Sequence, residues 1–333
     1  MKSGIVPRTW VIVICACLSL AVWAQEKPKE QPKISEGEQK AIEKINTASG
    51  LQAKMQAVGE YMKKFSKSPM RPKVAAFVAN EILIVTDHNQ RISMSQAYMS
   101  TFNQPGEPEL VQPGLIDSLT KVQKVDEAFA EGAKYLGTVP DDVTILTSLA
   151  MVGADQAQRQ NGKFAPQVLQ YSTKAIELIE ADKRHDRIPV DEWAAFKNRW
   201  LPSLYQVQGL ISFLTGDKAS ARTRMDRAAQ LNPQDPFTMM MMGNFADEEY
   251  QELAKQYQAA KDGPIKDGIY KQALEKMDLV IDYYARSAAA ADGKPEYKGL
   301  LEQVQKGLDA YYSFRHNGST TGLKELVEKY KKK

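Results

Sequence analysis

The sequence predicts an all-α fold, a solenoid of antiparallel helix pairs, on three observations. Apolar residues recur at spacings of three and four along most of the chain, which is the period of an amphipathic helix. Gly209 and Gly243 lie 34 residues apart, in segments that begin at Pro202 and Pro236. A period of about 34 residues is typical of arrays in which neighbouring helix hairpins bury each other's apolar faces. Turn-forming pairs such as Gly-Asp and Asn-Pro separate the helical segments.

Residues 1–24 predict a secretory signal peptide. Lys2 and Arg8 supply the positive charge, residues 10–20 form a short apolar core, and cleavage is expected after Ala24. The apolar run is shorter than the roughly 20 residues that a transmembrane helix needs. We therefore expect a periplasmic or secreted protein, with an uncleaved anchor as an alternative.

The two cysteines, Cys15 and Cys17, both lie in this leader. The mature chain would have no thiol, and hence no disulfide and no cysteine-ligated metal. A second alternative is a lipoprotein processed at Cys17. Membrane contact is expected only if the chain is lipidated or keeps its signal peptide. Cleavage removes two basic residues and no acidic one, so the net charge falls from +3 to +1. Such a balance provides no strong general field for nucleic acid or for an anionic membrane.

Residues 25–34 contain the charged, proline-containing run QEKPKEQPK and predict a disordered tether. The fold is expected to begin at Ser35, which forms a capping-box pattern with Glu38. An N-terminal helical region is expected over 35–102. Its clearest helix has apolar residues at alternating spacings of four and three, namely Leu51, Met55, Val58, Met62 and Phe65.

The segment 74–85 is mostly apolar and ends in β-branched residues, so a strand is an alternative, but its length favours a buried helix. Residues 87–89 predict a turn and 93–102 a short helix. The segment 103–114 contains three prolines and predicts a loop between two parts of the array.

The remaining chain, 115–333, is expected to form the main helical array. Long helices are predicted over 115–136, 143–160 and 165–180, and further helices over 270–284, 295–312 and 323–330. A charged loop at 183–187 precedes a helix that carries Trp193, Phe196 and Trp200, a stripe that is more often core than docking surface. Turns are expected at Asp262-Gly263-Pro264 and at Asp267-Gly268, within an insertion that follows Gly243.

The segment 202–235 is the most coherent repeat. Gly209 lies mid-helix, where glycine costs about 1 kcal/mol relative to alanine, a cost that close packing of a neighbouring helix can offset. Gly216 interrupts the helix and Pro233 ends the unit. Between them, small and apolar residues form one face of a second helix: Ala221, Met225 and Ala228.

This pattern resembles the tetratricopeptide repeat, in a divergent, exported bacterial form. The matching positions are Tyr205, Gly209, Gly216, Ala221, Ala228 and Pro233. The positions that depart from the family pattern are Gln208, Ser212 and Met225. The resemblance implies a protein that binds a protein or peptide partner, in the cell envelope of a Gram-negative bacterium, and that is not an enzyme.

The resemblance also implies which side chains face the concave, partner-binding side. They are Gln206, Leu210, Phe213, Phe237, Met240 and Asn244. Met240 belongs to a run of four methionines, a residue that lines adaptable binding surfaces, and Met239 and Met242 are expected in the core. Family members that bind a partner's C-terminal carboxylate use lysines, an arginine and asparagines at these positions, and of these only Asn244 is present. The expected partner is therefore an apolar or mixed peptide.

No catalytic or cofactor motif accompanies the repeat. The histidines His88, His185 and His316 are far apart and each lies in a predicted turn, so none of them belongs to a helical metal-binding motif. We expect no cofactor and no metal. A small-ligand-binding or enzymatic helical protein stays open as an alternative, because a site assembled from distant segments leaves no sequence motif.

Overall fold

The fold consists of fourteen α-helices in the computed structural model, which describes residues 34–331. No β-strand occurs in this range, so the predicted all-α array of antiparallel helix pairs is confirmed. The first seven helices are α1 Glu36–Thr47, α2 Leu51–Phe65, α3 Arg71–Leu83, α4 His88–Thr101, α5 Gln112–Lys121, α6 Val125–Thr138 and α7 Val143–Gln158. The others are α8 Ala165–Glu180, α9 Trp193–Leu214, α10 Lys218–Leu231, α11 Pro236–Ala259, α12 Pro264–Ala291, α13 Lys298–Arg315 and α14 Leu323–Lys331.

Successive helices from α1 to α13 pack against each other, whereas α14 packs against α12. The closest pairs are α7 with α8, α9 with α10, and α11 with α12, while α7 also packs against α9. Apolar clusters run through the array: one joins α1 to α4, a small one joins α4 to α6, a large central one joins α5 to α11, and another joins α11 to α14. This continuity is how a repeat array buries faces that a single hairpin would expose.

Glycines mark the places where the paired helices approach most closely. A Cβ atom on Gly209 would lie 2.8 Å from Met225 Cγ and 3.2 Å from the Ala221 carbonyl oxygen. A Cβ atom on Gly153 would likewise overlap the side chain of Val168 on α8, at its Cγ2 atom. The expected helix contact at Gly209 is therefore found, and Ala228 is 1% exposed in the same interface.

The start of the fold follows the capping prediction only in part. Ser35 accepts a hydrogen bond from the Glu38 backbone amide at 3.2 Å, as expected of an N-cap. The Glu38 carboxylate, however, accepts from the Tyr61 hydroxyl at 2.8 Å and from the Ser68 hydroxyl. Because Glu38 is buried beneath α2, its side chain joins helices rather than completing a capping box.

Two turn predictions in the N-terminal half need correction. Asp87 is the N-cap of α4 and accepts from the Gln90 amide at 2.7 Å, so residues 87–89 begin a helix. The predicted loop 103–114 is shorter than expected, because α5 already begins at Gln112. Its Pro113 lies in the first turn, where a helix needs no backbone donor.

The predicted helix over 115–136 is in fact two helices. The chain turns between α5 and α6 at Gln123, whose φ of 62° lies in the left-handed region. A glycine or asparagine would have signalled this turn, whereas glutamine gives no such sign. The predicted helix 165–180 agrees with α8, and 143–160 extends two residues beyond α7.

The insertion after Gly243 is a long helical hairpin. The predicted turn at Asp262-Gly263-Pro264 is found between α11 and α12, and its Pro264 begins α12. Asp267-Gly268 lies inside α12, so the turn predicted there is wrong. Lys218, at the tip of the preceding hairpin, reaches Glu248 at 2.9 Å, yet α11 continues to Ala259. The hairpin formed by α11 and α12 therefore extends past the α9–α10 turn.

Candidate partner-binding surface

The predicted surface residues lie on α9 and α11, which meet through side chains. Gln206 of α9 donates through Nε2 to Asp235 Oδ1 at 2.5 Å and to Thr238 Oγ1 at 2.9 Å. Asp235 is the N-cap of α11 and accepts from the Thr238 amide at 2.7 Å. Gln206 therefore links α9 to the first turn of α11, and this bond fixes the relative position of the two helices.

Leu210 and Phe213 differ in their access to solvent. Leu210 is 7% exposed and belongs to the central apolar cluster, so the structure places it in the core. Phe213 is half-buried, and its ring meets the ring of Phe245 edge-on with centroids 6.0 Å apart. The neighbouring Leu214 is 51% exposed and extends the apolar surface at the end of α9.

Phe237 and Met240 are the accessible apolar residues of the first turns of α11. Both are half-buried, and Met240 packs against the central cluster and the C-terminal cluster. The other three methionines of the run, Met239, Met241 and Met242, are buried. Met240 is therefore the one methionine of the four that a partner could reach.

Asn244 is held by a tyrosine from the next helix. The Tyr284 hydroxyl donates to Asn244 Oδ1 at 2.8 Å, and the Tyr284 ring lies against Gly243. Burial raises the pKa of Tyr284 to about 12, so it remains a donor at neutral pH. Asn244 Nδ2 bonds to no described residue, which leaves an oriented amide donor at this surface.

The surface continues onto α13 through residues that sequence reasoning did not assign. The Tyr311 hydroxyl donates to Asp247 Oδ1 and accepts from Gln251 Nε2 at 3.0 Å. Its ring meets Tyr250 edge-on at 5.6 Å. Burial raises the pKa of Tyr311. Asp247 and Gln251 follow Asn244 at helical spacing and could have been found, but their partner lies about 60 residues further on.

The acidic run after Asp247 is neutralised by neighbouring helices. Glu248 pairs with Lys218, while Glu249 pairs with Arg222 and, at 2.5 Å, with Lys276. These ion pairs border a groove of about 490 Å³ among α10, α11 and α12, with Phe245 and Leu253 in its lining. The carboxylates therefore join three helices and do not form a free acidic patch.

The aromatic stripe on α9 and the histidine of the charged loop make contacts within the fold. Trp193 is buried and donates through Nε1 to Asp182 at 2.8 Å, whereas Phe196 and Trp200 are half-buried against the central cluster. His185 lies 3.9 Å from Asp142, and burial lowers its pKa. Within residues 34–331 no group of metal-ligating side chains converges, and no helix has the length and apolarity to cross a membrane.

The comparisons with known proteins give likenesses in structure alone. No family model matches the sequence, and no curated protein matches it at a significant level. A crystal structure of a tetratricopeptide repeat protein from Parabacteroides merdae is similar over 88% of this chain and 98% of its own. The two sequences are 11% identical, and the TM-score is 0.36.

Proposed function

We propose that the protein is an exported, tetratricopeptide-repeat-like scaffold that binds a segment of another protein in the cell envelope. The observation that carries the proposal is the set of accessible apolar side chains on two adjacent helices. Phe213 lies on α9, and Phe237 and Met240 lie on α11. Apolar side chains that remain accessible at the centre of a rigid surface are the usual anchors for a partner chain.

The surface is preformed, which favours binding of an extended or helical segment. Gln206 fixes α9 to α11, and Tyr284 fixes Asn244. Little conformational entropy is then lost on the scaffold side when a partner docks. The apolar side chains provide contact area and the Asn244 amide nitrogen provides a donor, so the expected ligand is a mixed apolar and polar peptide.

Export is supported by the sequence of residues 1–24, which lies outside the described residues. The alternative of an outer-membrane-tethered lipoprotein keeps the same binding surface and changes only the N-terminus. The mass of the mature protein distinguishes them: a chain that begins at Gln25 supports the cleaved form, and a lipid-modified Cys17 supports the tethered form.

Met240→Glu tests the binding surface. A charge at this half-buried position should weaken partner capture at least tenfold, because an apolar contact is replaced by an ionised group that a partner would have to desolvate. Capture is measured by passing envelope extract over immobilised protein and quantifying the bound chains by mass spectrometry. Circular dichroism checks that the helix content is retained.

Leu279→Glu is the matched control, because Leu279 is 39% exposed on α12 and lies outside the surface. It also replaces an apolar side chain by glutamate, and it should leave capture unaltered. Equal capture by wild type and Met240→Glu, with the protein folded, would contradict the assigned surface. A loss of helicity in Met240→Glu would instead assign this residue to the core.

A further inference from the structure

Four lysines crowd the corner between α2 and α3, a group that we call the lysine corner. Lys63 and Lys64 lie in the last turn of α2, Lys67 in the connection, and Lys73 in the first turn of α3. All four side chains are exposed, and none forms an ion pair with a described residue. Their closeness in sequence places four positive charges at one end of the helix pair.

Acidic residues around this corner are already engaged. No acidic residue occurs in the sequence from 61 to 80. The flanking ion pairs are Glu36–Lys40 at 2.7 Å, Glu60–Lys44 at 2.5 Å and Glu107–Arg71 at 2.6 Å. Each of these acids has its own cation, although the Glu60 carboxylate also interacts with Lys63 and Lys64. The four lysines therefore outnumber the acids that face them, and the lysine corner keeps a net positive charge.

The chain enters the fold beside the lysine corner. The buried Glu38 carboxylate accepts from the Tyr61 hydroxyl at 2.8 Å and from the Ser68 hydroxyl. These bonds place the first turn of α1 against the end of α2, four residues after Ile34. The chain therefore enters the described part of the fold, at Ile34, next to the four lysines.

An apolar pocket opens at the same corner. Lys73 lines this pocket, which has a volume of about 170 Å³. The rest of its lining is mostly apolar and consists of Ile42, Ile45, Asn46, Met70, Val74 and Phe77. A cation beside an apolar pocket suits an amphiphile that carries a negative head group, whereas a soluble acidic polymer would use only the charge.

We propose that the lysine corner docks the protein on a membrane surface that is rich in anionic phospholipid. Each lysine close to such a surface strengthens binding by about fivefold at moderate ionic strength. The attraction is screened by salt, because it acts through solvent over about a Debye length. Docking here would hold the N-terminal end of the array at the membrane.

A vesicle experiment tests this proposal with the protein in the form that the cell produces. The readout is the ratio of binding to vesicles of phosphatidylcholine with phosphatidylglycerol over binding to pure phosphatidylcholine vesicles. This ratio is independent of any lipid or apolar anchor, which would act on both. We expect the ratio to exceed ten for wild type and to fall toward one in the variant K63Q/K64Q/K67Q/K73Q or in high salt.

The matched control is K255Q/K261Q/K271Q/K306Q, which removes four exposed lysines from α11 to α13 that have no described ion-pair partner. It should keep the wild-type ratio. Equal loss in both quadruple variants would overturn the proposal, because the effect would then reflect net charge alone. A wild-type ratio near one, with polyglutamate binding that only the corner variant loses, would overturn it in favour of an acidic protein partner.

Discussion

The Tyr284 ring lies in van der Waals contact with Gly243, and the space for this ring exists because position 243 has no side chain. Tyr284 is 8% exposed and belongs to the C-terminal apolar cluster. Its opposite ring edge faces Gly307 of α13, where a Cβ atom would lie 2.8 Å from Cε2. One tyrosine thus fills the gap between the first helices of two successive pairs.

Gly243→Ala should destabilise the protein by about 1–3 kcal/mol, because the added methyl group would overlap the Tyr284 ring in a packed interface. Urea denaturation followed by circular dichroism measures the change. The control is Gly268→Ala, at a helical glycine with no atom within 4 Å of the added carbon. That change should stabilise by about 0.5–1 kcal/mol through helix propensity. Equal stability of the two variants would contradict the packing.

Ala228→Glu should unfold the central hairpin. Ala228 is 1% exposed between α9 and α10, and an uncompensated carboxylate there costs several kcal/mol. The melting temperature and the helix content at 25 °C are the measurements. Ala219→Glu is the control, since Ala219 is exposed on the same helix. An unchanged melting temperature for Ala228→Glu would mean that Ala228 does not pack between α9 and α10, and that the repeat boundaries are wrong.

The buried pair of Arg71 and Glu107 should make stability depend on pH in the acid range. Hydrogen bonding to Arg71 lowers the pKa of Glu107 below its ordinary value of 4.5. Because the folded pKa is the lower one, this stabilisation is complete above about pH 4.5 and is lost as pH falls through the folded pKa. Urea midpoints between pH 2 and pH 7 follow the effect.

Glu107→Gln distinguishes the contribution of this pair to the pH dependence of stability from the contributions of other carboxyl groups. It should cost about 3–5 kcal/mol at pH 7, because Arg71 would keep a buried charge without a counterion. The difference from wild type should shrink as the pH is lowered. Glu302→Gln, at an exposed position, should change neither value. A pH-independent difference for Glu107→Gln would contradict the assignment of this pair.

Gln206 and Asp235 should act as a unit, since their side chains are hydrogen-bonded at 2.5 Å. Asp235→Ala removes the α11 N-cap and should cost about 1 kcal/mol. In a double-mutant cycle with Gln206→Ala, the double variant should lose about 0.5–1 kcal/mol less stability than the sum of the two single variants. Strict additivity in urea denaturation would show that Gln206 does not link α9 to α11.

The sequence was most informative where the pattern was local. The amphipathic spacing predicts α2 and α8, and the residues Gly209, Ala221 and Ala228 predict the interface of α9 with α10. These features depend on neighbours within about 20 residues. Gly216, whose positive φ favours glycine, marks the turn and so fixes where α9 ends and α10 begins.

Other features depend on partners that are distant in sequence. Gly243 was in frame for a repeat, but nothing local indicated that Tyr284 would occupy the space beside it. The same holds for the bond of Tyr311 to Asp247. Asp267-Gly268 resembled a turn, yet Pro264 had already begun α12, and Gly268 adopts helical geometry without strain. Tertiary packing therefore decided what local propensity could not.

Site-specific photo-crosslinking in cells tests the central claim most directly, namely that the surface formed by α9 and α11 holds a partner chain. Benzoylphenylalanine replaces Phe237 in one variant and Leu279, on the outer side of α12, in another. The account predicts a discrete higher-mass adduct from position 237 after irradiation and none from position 279. An adduct from position 279 alone, or no adduct from position 237 in a folded protein, would contradict it.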